Sequence, residues 1–203
     1  MGHHLQTVVD LSVSAAAAEA VAARGLRWLV AEGIVLAERT DCVLGVPLGH
    51  PPGPEWGRAV AAGEGEPYGG LRVTTGRVGF DAGQYPPAYA QCPHCASRIA
   101  LYTEDWDVIP GAWLPFDAAM DRWYESGAAA VVCPDCGRAG DLTAWTWDHD
   151  RYAFGYLGFA FRDWPRFSPQ FLAAFGDALG GHRVVVVGGA VTGRVRGLNS
   201  LVR

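Results

Sequence analysis

Tyr152-Ala-Phe-Gly-Tyr-Leu-Gly-Phe-Ala-Phe-Arg162 is aromatic and glycine-rich on both of its alternating faces. A run of that kind suits a central strand, apolar on both sides, whose glycines let another element approach. Downstream, Ser168-Pro169 starts a helix, with Ser168 as N-cap and Pro169 at the first helical position. Phe171, Leu172, Phe175 and Leu179 recur at helical spacing until Gly180-Gly181, and Val184, Val185, Val186 and Val187 then form a β-branched run that reads as a strand. The first part of the chain has the same order. Residues 6–13 alternate loosely as a strand, and Ser14 opens an alanine-rich helix with Val21, Ala22, Leu26, Leu29 and Val30 at helical spacing. Gly25 costs that helix about 1 kcal/mol relative to alanine, which marks close packing or a break, and Gly33 ends it. Residues 34–37 or 42–46 supply the second strand.

This duplicated strand–helix–strand order predicts an α+β fold, a ferredoxin-like split βαβ sheet built from residues 5–46 and 150–190. An α/β layer with another strand order satisfies the same pattern, because one sequence does not fix pairing. Residues 70–148 form an inserted module, and residues 191–203, without any period, are expected to be a mobile tail. His50-Pro51-Pro52-Gly53-Pro54 and residues 63–70 have loop compositions. Residues 71–75 and 77–80 are expected to form a hairpin leading into the module.

Inside the module lie two cysteine pairs, Cys92-Pro93-His94-Cys95 and Cys133-Pro134-Asp135-Cys136, the second followed by Gly137. Two residues between cysteines let a tight turn aim both sulfurs at one point, and two such turns supply four thiolates to a tetrahedral ion. Gly137 allows the positive φ that closes the second turn, whereas Ala96 occupies the matching place in the first. These residues resemble the zinc-ribbon class over residues 70–148, and the resemblance implies one structural Zn2+ held by Cys92, Cys95, Cys133 and Cys136. Four sulfurs complete the coordination sphere and leave no place for a reactive water. The gap between the pairs exceeds the ~15–20 residues of a minimal ribbon, and 117–126 fills it as a helix. Asp117 would be its N-cap, Met120, Trp123 and Tyr124 its apolar face, and Gly127 its stop. Cys92-Pro93-His94-Cys95 is also similar to the active-site tetrapeptide of disulfide oxidases in the thioredoxin superfamily. That reading leaves the second pair unexplained, and the residues after Cys95 look like a strand, not the helix such a thiol caps. His94 is placed as an exposed turn residue, with metal ligation as the alternative.

The whole chain is similar to a group of uncharacterised bacterial proteins sharing Asp41-Cys42-Val43-Leu44-Gly45, the paired knuckles, and Leu157-Gly158-Phe159 before a C-terminal valine strand. That group brings no activity with it. The sixteen basic residues are all arginine, which excludes a P-loop lysine and the amine of pyridoxal or Schiff-base chemistry. A net charge of −5 favours basic partners over phosphate backbones. Between Cys92 and Trp147, Glu104, Asp105, Asp107, Asp117, Asp121, Glu125, Asp135 and Asp141 outweigh Arg98, Arg122 and Arg138. Nucleic-acid binding is disfavoured accordingly. The opening residues lack a signal-peptide order, no long apolar run occurs, and a cytoplasmic home without membrane insertion is expected.

Eight tryptophans are present, and Trp106, Trp113, Trp123, Trp145 and Trp147 fall in or beside the module. Most are expected in its core. Trp106, in the polar loop Glu104-Asp105-Trp106-Asp107, is the exposed one, and with Asp105 and Asp107 it forms a candidate partner-binding surface. Asp148-His149-Asp150 reads as a solvated turn in preference to a base and its orienter, and Cys42 as a buried inert thiol. The reading that follows is a non-enzymatic, protein-binding, immunity-like or regulatory adaptor. An enzyme with a cleft between sheet and ribbon is the runner-up, and a nucleic-acid-binding ribbon the third.

Overall fold

The structure, a computed structural model, describes residues 4–43, 47–83 and 86–188. Along the chain run β1 (Leu5–Asp10), α1 (Ala18–Ala31), β2 (Leu71–Asp81), β3 (Tyr89–Gln91), β4 (Arg98–Ala100), α2 (Pro110–Ser126), β5 (Ala130–Val132), β6 (Ala139–Asp141), β7 (Thr146–Trp147), β8 (Tyr152–Arg162), α3 (Pro169–Ala178) and β9 (Val184–Gly188). The fold is mixed α+β with antiparallel sheets. The largest sheet has the order β2-β8-β1-β9, β3 lies between β4 and β7 in a second, and β5 pairs with β6 in a third. In the large sheet every pairing is antiparallel, with Val8 opposite Phe159 and Val186, and Val73 also opposite Phe159.

Local chemistry explains why β8 and α3 form where they do. The Ser168 hydroxyl accepts the Phe171 N–H at 3.1 Å, and Pro169 occupies the first turn, where its missing N–H costs nothing. Phe175 then meets Phe159 of β8 edge-on at 4.8 Å and Trp28 of α1 at 5.6 Å. Both helices therefore bury their apolar stripes on one face of the sheet, around Val8, Leu29, Leu157, Phe159, Phe161 and Trp164. Gly25 is a close-packing position. A Cβ there would lie 2.7 Å from both Phe159 and Leu179, so α1 approaches the sheet more closely than any larger residue permits.

A second core lies around α2 and the two small sheets. It collects Ala90, Leu101, Phe116, Trp123, Val131, Leu142, Trp145 and Trp147, and reaches Phe154 of β8. Two hydrogen bonds tie the end of α2 to the large sheet: Arg77 Nη1 donates to the Tyr124 carbonyl at 2.6 Å, and Tyr156 Oη to the Gly127 carbonyl at 3.2 Å. No helix among the described residues is long and apolar enough to cross a membrane.

Several expectations need correction. The second strand of the large sheet is β2, not 34–37 or 42–46. Val35 makes only an isolated bridge to Pro52, and residues 44–46 lie outside the described residues. Residues 71–75 and 77–80 are not a hairpin either. They form one strand against β8, with one extra residue between Thr75 and Val78 that Gly76, at φ 97°, absorbs as a bulge. Residues 71–81 of the expected module thus lie in the large sheet. Helix α2 begins at Pro110, not Asp117, since proline suits a first turn and Pro115 is tolerated inside; its buried residues are Phe116, Ala119 and Trp123, and Tyr124 is exposed. Gly127 does stop it, at φ 79°. Cys42 is partly exposed, not buried. The expected tail, 191–203, lies outside the described residues.

Candidate metal centre

Each knuckle is closed by a pair of backbone hydrogen bonds with the same pattern. Ala96 N–H reaches the Cys92 carbonyl at 3.0 Å and Cys92 N–H the Ser97 carbonyl at 2.9 Å. Gly137 N–H likewise reaches the Cys133 carbonyl at 2.9 Å, and Cys133 N–H the Arg138 carbonyl at 3.0 Å. Both turns need a left-handed residue in fifth place, supplied by Gly137 at φ 69° and by Ala96 at φ 60°. The missing glycine leaves the first knuckle's geometry intact and adds strain to it.

The sulfurs of Cys92, Cys95, Cys133 and Cys136 lie within 4.8 Å of one another, with Cys92–Cys136 at 3.9 Å and Cys95–Cys133 at 3.8 Å. Four sulfurs about 2.3 Å from one tetrahedral ion sit about 3.8 Å apart, so the shorter edges already have the spacing of a coordinated set. All four thiols are free, and these separations are far beyond the ~2.05 Å of a disulfide. The cluster could hold one metal ion. The thiols differ in acidity. Hydrogen bonds from the Ser97 hydroxyl and N–H lower the Cys95 thiol to about 6. At Cys136 the Arg138 N–H pulls the thiol down, but desolvation and the three other sulfurs outweigh it and raise it to about 11. Four thiolates cannot gather at this spacing without a positive charge among them.

Cys92 and Cys133 are buried against the second core, whereas Cys95 is exposed and Cys136 partly so. Phe116 and Trp145 pack edge-to-face at 4.9 Å in that core, and Trp145 Nε1 donates to the Gly140 carbonyl beside the second knuckle. His94 Nε2 lies 2.9 Å from the Ala139 carbonyl, so this ring joins the first knuckle to the strand leaving the second and does not stand in for a cysteine.

The remaining candidates are placed as follows. Asp105, Trp106 and Asp107 are exposed on a loop that follows β4, at its far end from the first knuckle. Trp106 is 41% exposed, while Trp123, Trp145 and Trp147 are buried. The loop is closed by Thr103 N–H to the Asp107 carbonyl at 2.8 Å and Trp106 N–H to the Thr103 carbonyl at 3.0 Å. Trp106 has φ 66°, a left-handed conformation unusual for a bulky residue. Asp148 is buried, accepts the Ala88 N–H at 3.1 Å and lies 3.9 Å from Arg151, so the solvated-turn expectation fails for it and holds for the exposed His149. Burial raises the carboxyl of Asp150, with Arg183 and His149 opposing. Tyr89 and Tyr102 were not singled out in the sequence, and Arg98 entered only the charge count, although Arg98 and Tyr102 share a period-2 face of one strand run. Compared with known proteins, the chain matches no family model, no curated protein and no solved structure, so fold and site geometry carry the functional argument.

Proposed function

We propose that this is a non-enzymatic, protein-binding adaptor, immunity-like or regulatory, in which one structural zinc ion supports an acidic, tryptophan-bearing surface. The observation that carries the reading is the exposed, backbone-closed Trp106 loop at the end of the strand leaving a tetracysteine knuckle. Tetrahedral sulfur sites are the chemistry of zinc and iron–sulfur centres, and paired knuckles favour a single zinc. A four-thiolate zinc adds no reactive water, so its work is to hold β3–β7 and α2 in place. The sheet order β2-β8-β1-β9, antiparallel throughout, supports a ferredoxin-like split reading in which β1, α1 and β2 form one half, β8, α3 and β9 the other, and the zinc ribbon is inserted between β2 and β8. Asp105 and Asp107 beside Trp106 favour a basic partner protein, in the cytoplasm, over nucleic acid or membrane.

The test is a photo-crosslinking residue at position 105 in the native cell. The captured protein, purified, should bind with an affinity that Trp106→Ala lowers at least tenfold and Asp105→Asn with Asp107→Asn lowers in a salt-dependent way. Crosslinks dominated by nucleic acid, or a partner indifferent to all three substitutions, would overturn the reading.

A further inference from the structure

Beside the Trp106 loop is a cavity of about 400 Å³ lined by Tyr89, Arg98, Ala100, Tyr102, Glu104 and Trp106, with Ala88 and Thr103 completing it. Arg98, Ala100 and Tyr102 alternate along one strand run, so their side chains share a face at roughly 7 Å intervals. The cavity is therefore a slot: the small side chains of Ala88 and Ala100 leave room between the Tyr89 ring, opposite Ala100 on the neighbouring strand, and the Tyr102–Trp106 pair. One end already holds a cation on a ring, since the Arg98 guanidinium lies 4.6 Å from the Tyr89 centroid. At the other end Tyr102 meets Trp106 at 6.1 Å and Trp113 at 5.9 Å, and Glu104 supplies a carboxylate. Trp106 keeps its place there in a left-handed backbone conformation, and strain of that kind in a rigid loop collects at binding clamps.

Resting on the protein-binding function proposed above, we infer that this slot takes the guanidinium of an arginine side chain from the partner protein, laid against the open faces of the Tyr102–Trp106 pair and paired with Glu104. A planar cation gains from the ring faces and from a carboxylate at once. Charge complementarity gives the same answer. Glu104, Asp105 and Asp107 lie on the loop at this end, and the cation among the lining residues, Arg98, has its guanidinium engaged on the Tyr89 ring. Nothing apolar of similar size would use the carboxylate, and a phosphate would meet it head-on.

The test uses the full-length metal-loaded protein and two capped tripeptides, Gly-Arg-Gly and the same peptide with neutral citrulline replacing arginine. Backbone amide shifts of Thr103 and Glu104 report binding by NMR. The arginine peptide should bind at least tenfold more tightly than the citrulline one, and both Glu104→Gln and Trp106→Ala should lower its affinity at least threefold, with folding checked by far-ultraviolet dichroism. Equal affinities, shifts that persist in both variants, no shift at all, or tighter binding of a uridine dinucleotide would each overturn the inference. A position-105 crosslink that depends on Trp106 while the peptides fail retires the arginine slot alone; failure of both retires the adaptor reading too.

Discussion

Removal of the metal should unfold one core and spare the other. The small sheets have three-residue or shorter strands, too few to stand alone in water, and their core is arranged around two of the four sulfurs, those of Cys92 and Cys133. A structural zinc in such a setting contributes about 10–16 kcal/mol at neutral pH, comparable to the whole stability of a typical domain at ~5–15 kcal/mol. The large sheet has its own core around α1 and α3 and does not draw on that energy. A strong chelator, or Cys133→Ser, should therefore abolish the near-ultraviolet dichroism of buried Trp123, Trp145 and Trp147. Amides of β1, β8 and β9 should keep most of their protection in hydrogen exchange, with losses near Phe154, where the second core touches β8. Metal analysis should read one ion per chain before treatment. A chain that purifies without metal in the absence of chelator, or that loses the ion while its tryptophan signal and melting temperature stay put, refutes the reasoning.

Three further outcomes follow from the packing. Gly25→Ala should destabilise by up to about 2 kcal/mol in urea melts, because overpacking Phe159 and Leu179 costs about 1–3 kcal/mol and the helix recovers about 1 kcal/mol. Asp10→Ala should cost about 2–4 kcal/mol, since the buried carboxylate accepts Ser12 and Val13 N–H groups and meets His182 Nδ1 at 2.7 Å, leaving those donors stranded on its removal. Asp150 has its carboxyl raised by burial, so the folded state binds the proton more tightly than the unfolded one, and stability falls as pH rises above the ordinary carboxylate range. Asp150→Asn, which also suits the φ of 50° there, should raise the melting temperature at pH 7 and lose that advantage at pH 3.

What could be read from the sequence was what local chemistry decides. Ser168-Pro169 caps a helix wherever it is followed by an apolar stripe, and a Cys-x-x-Cys turn closes on its own backbone, so α3 and both knuckles were recognisable without their neighbours. Partners brought together by the fold were not. The apolar run at 34–37 looks like a strand, but its groups bond a nearby loop, Leu36 N–H to Pro51 and Gly53 N–H to Ile34. The real second strand arrives from a segment whose central Gly76 imitates a turn. Pro115 imitates a helix stop in the same way. Asp148 looked solvated because its bond to Ala88 N–H spans sixty residues of sequence, and the aromatic slot was invisible because β3 and β4 assemble it across a knuckle.

The extra residue in β2 has a consequence for evolution and engineering alike. Side chains alternate sides along a strand, so excising Gly76 would restore even pairing with β8 only by turning one segment of β2 upside down. Either Leu71 and Val73 would leave the helices' core, or Phe80 would lose its cluster with Val9 and Val187. Arg77, released from the end of α2, would go with them. A single-codon deletion at this point should therefore be far less tolerated than a substitution, and insertions and deletions in related chains should avoid it.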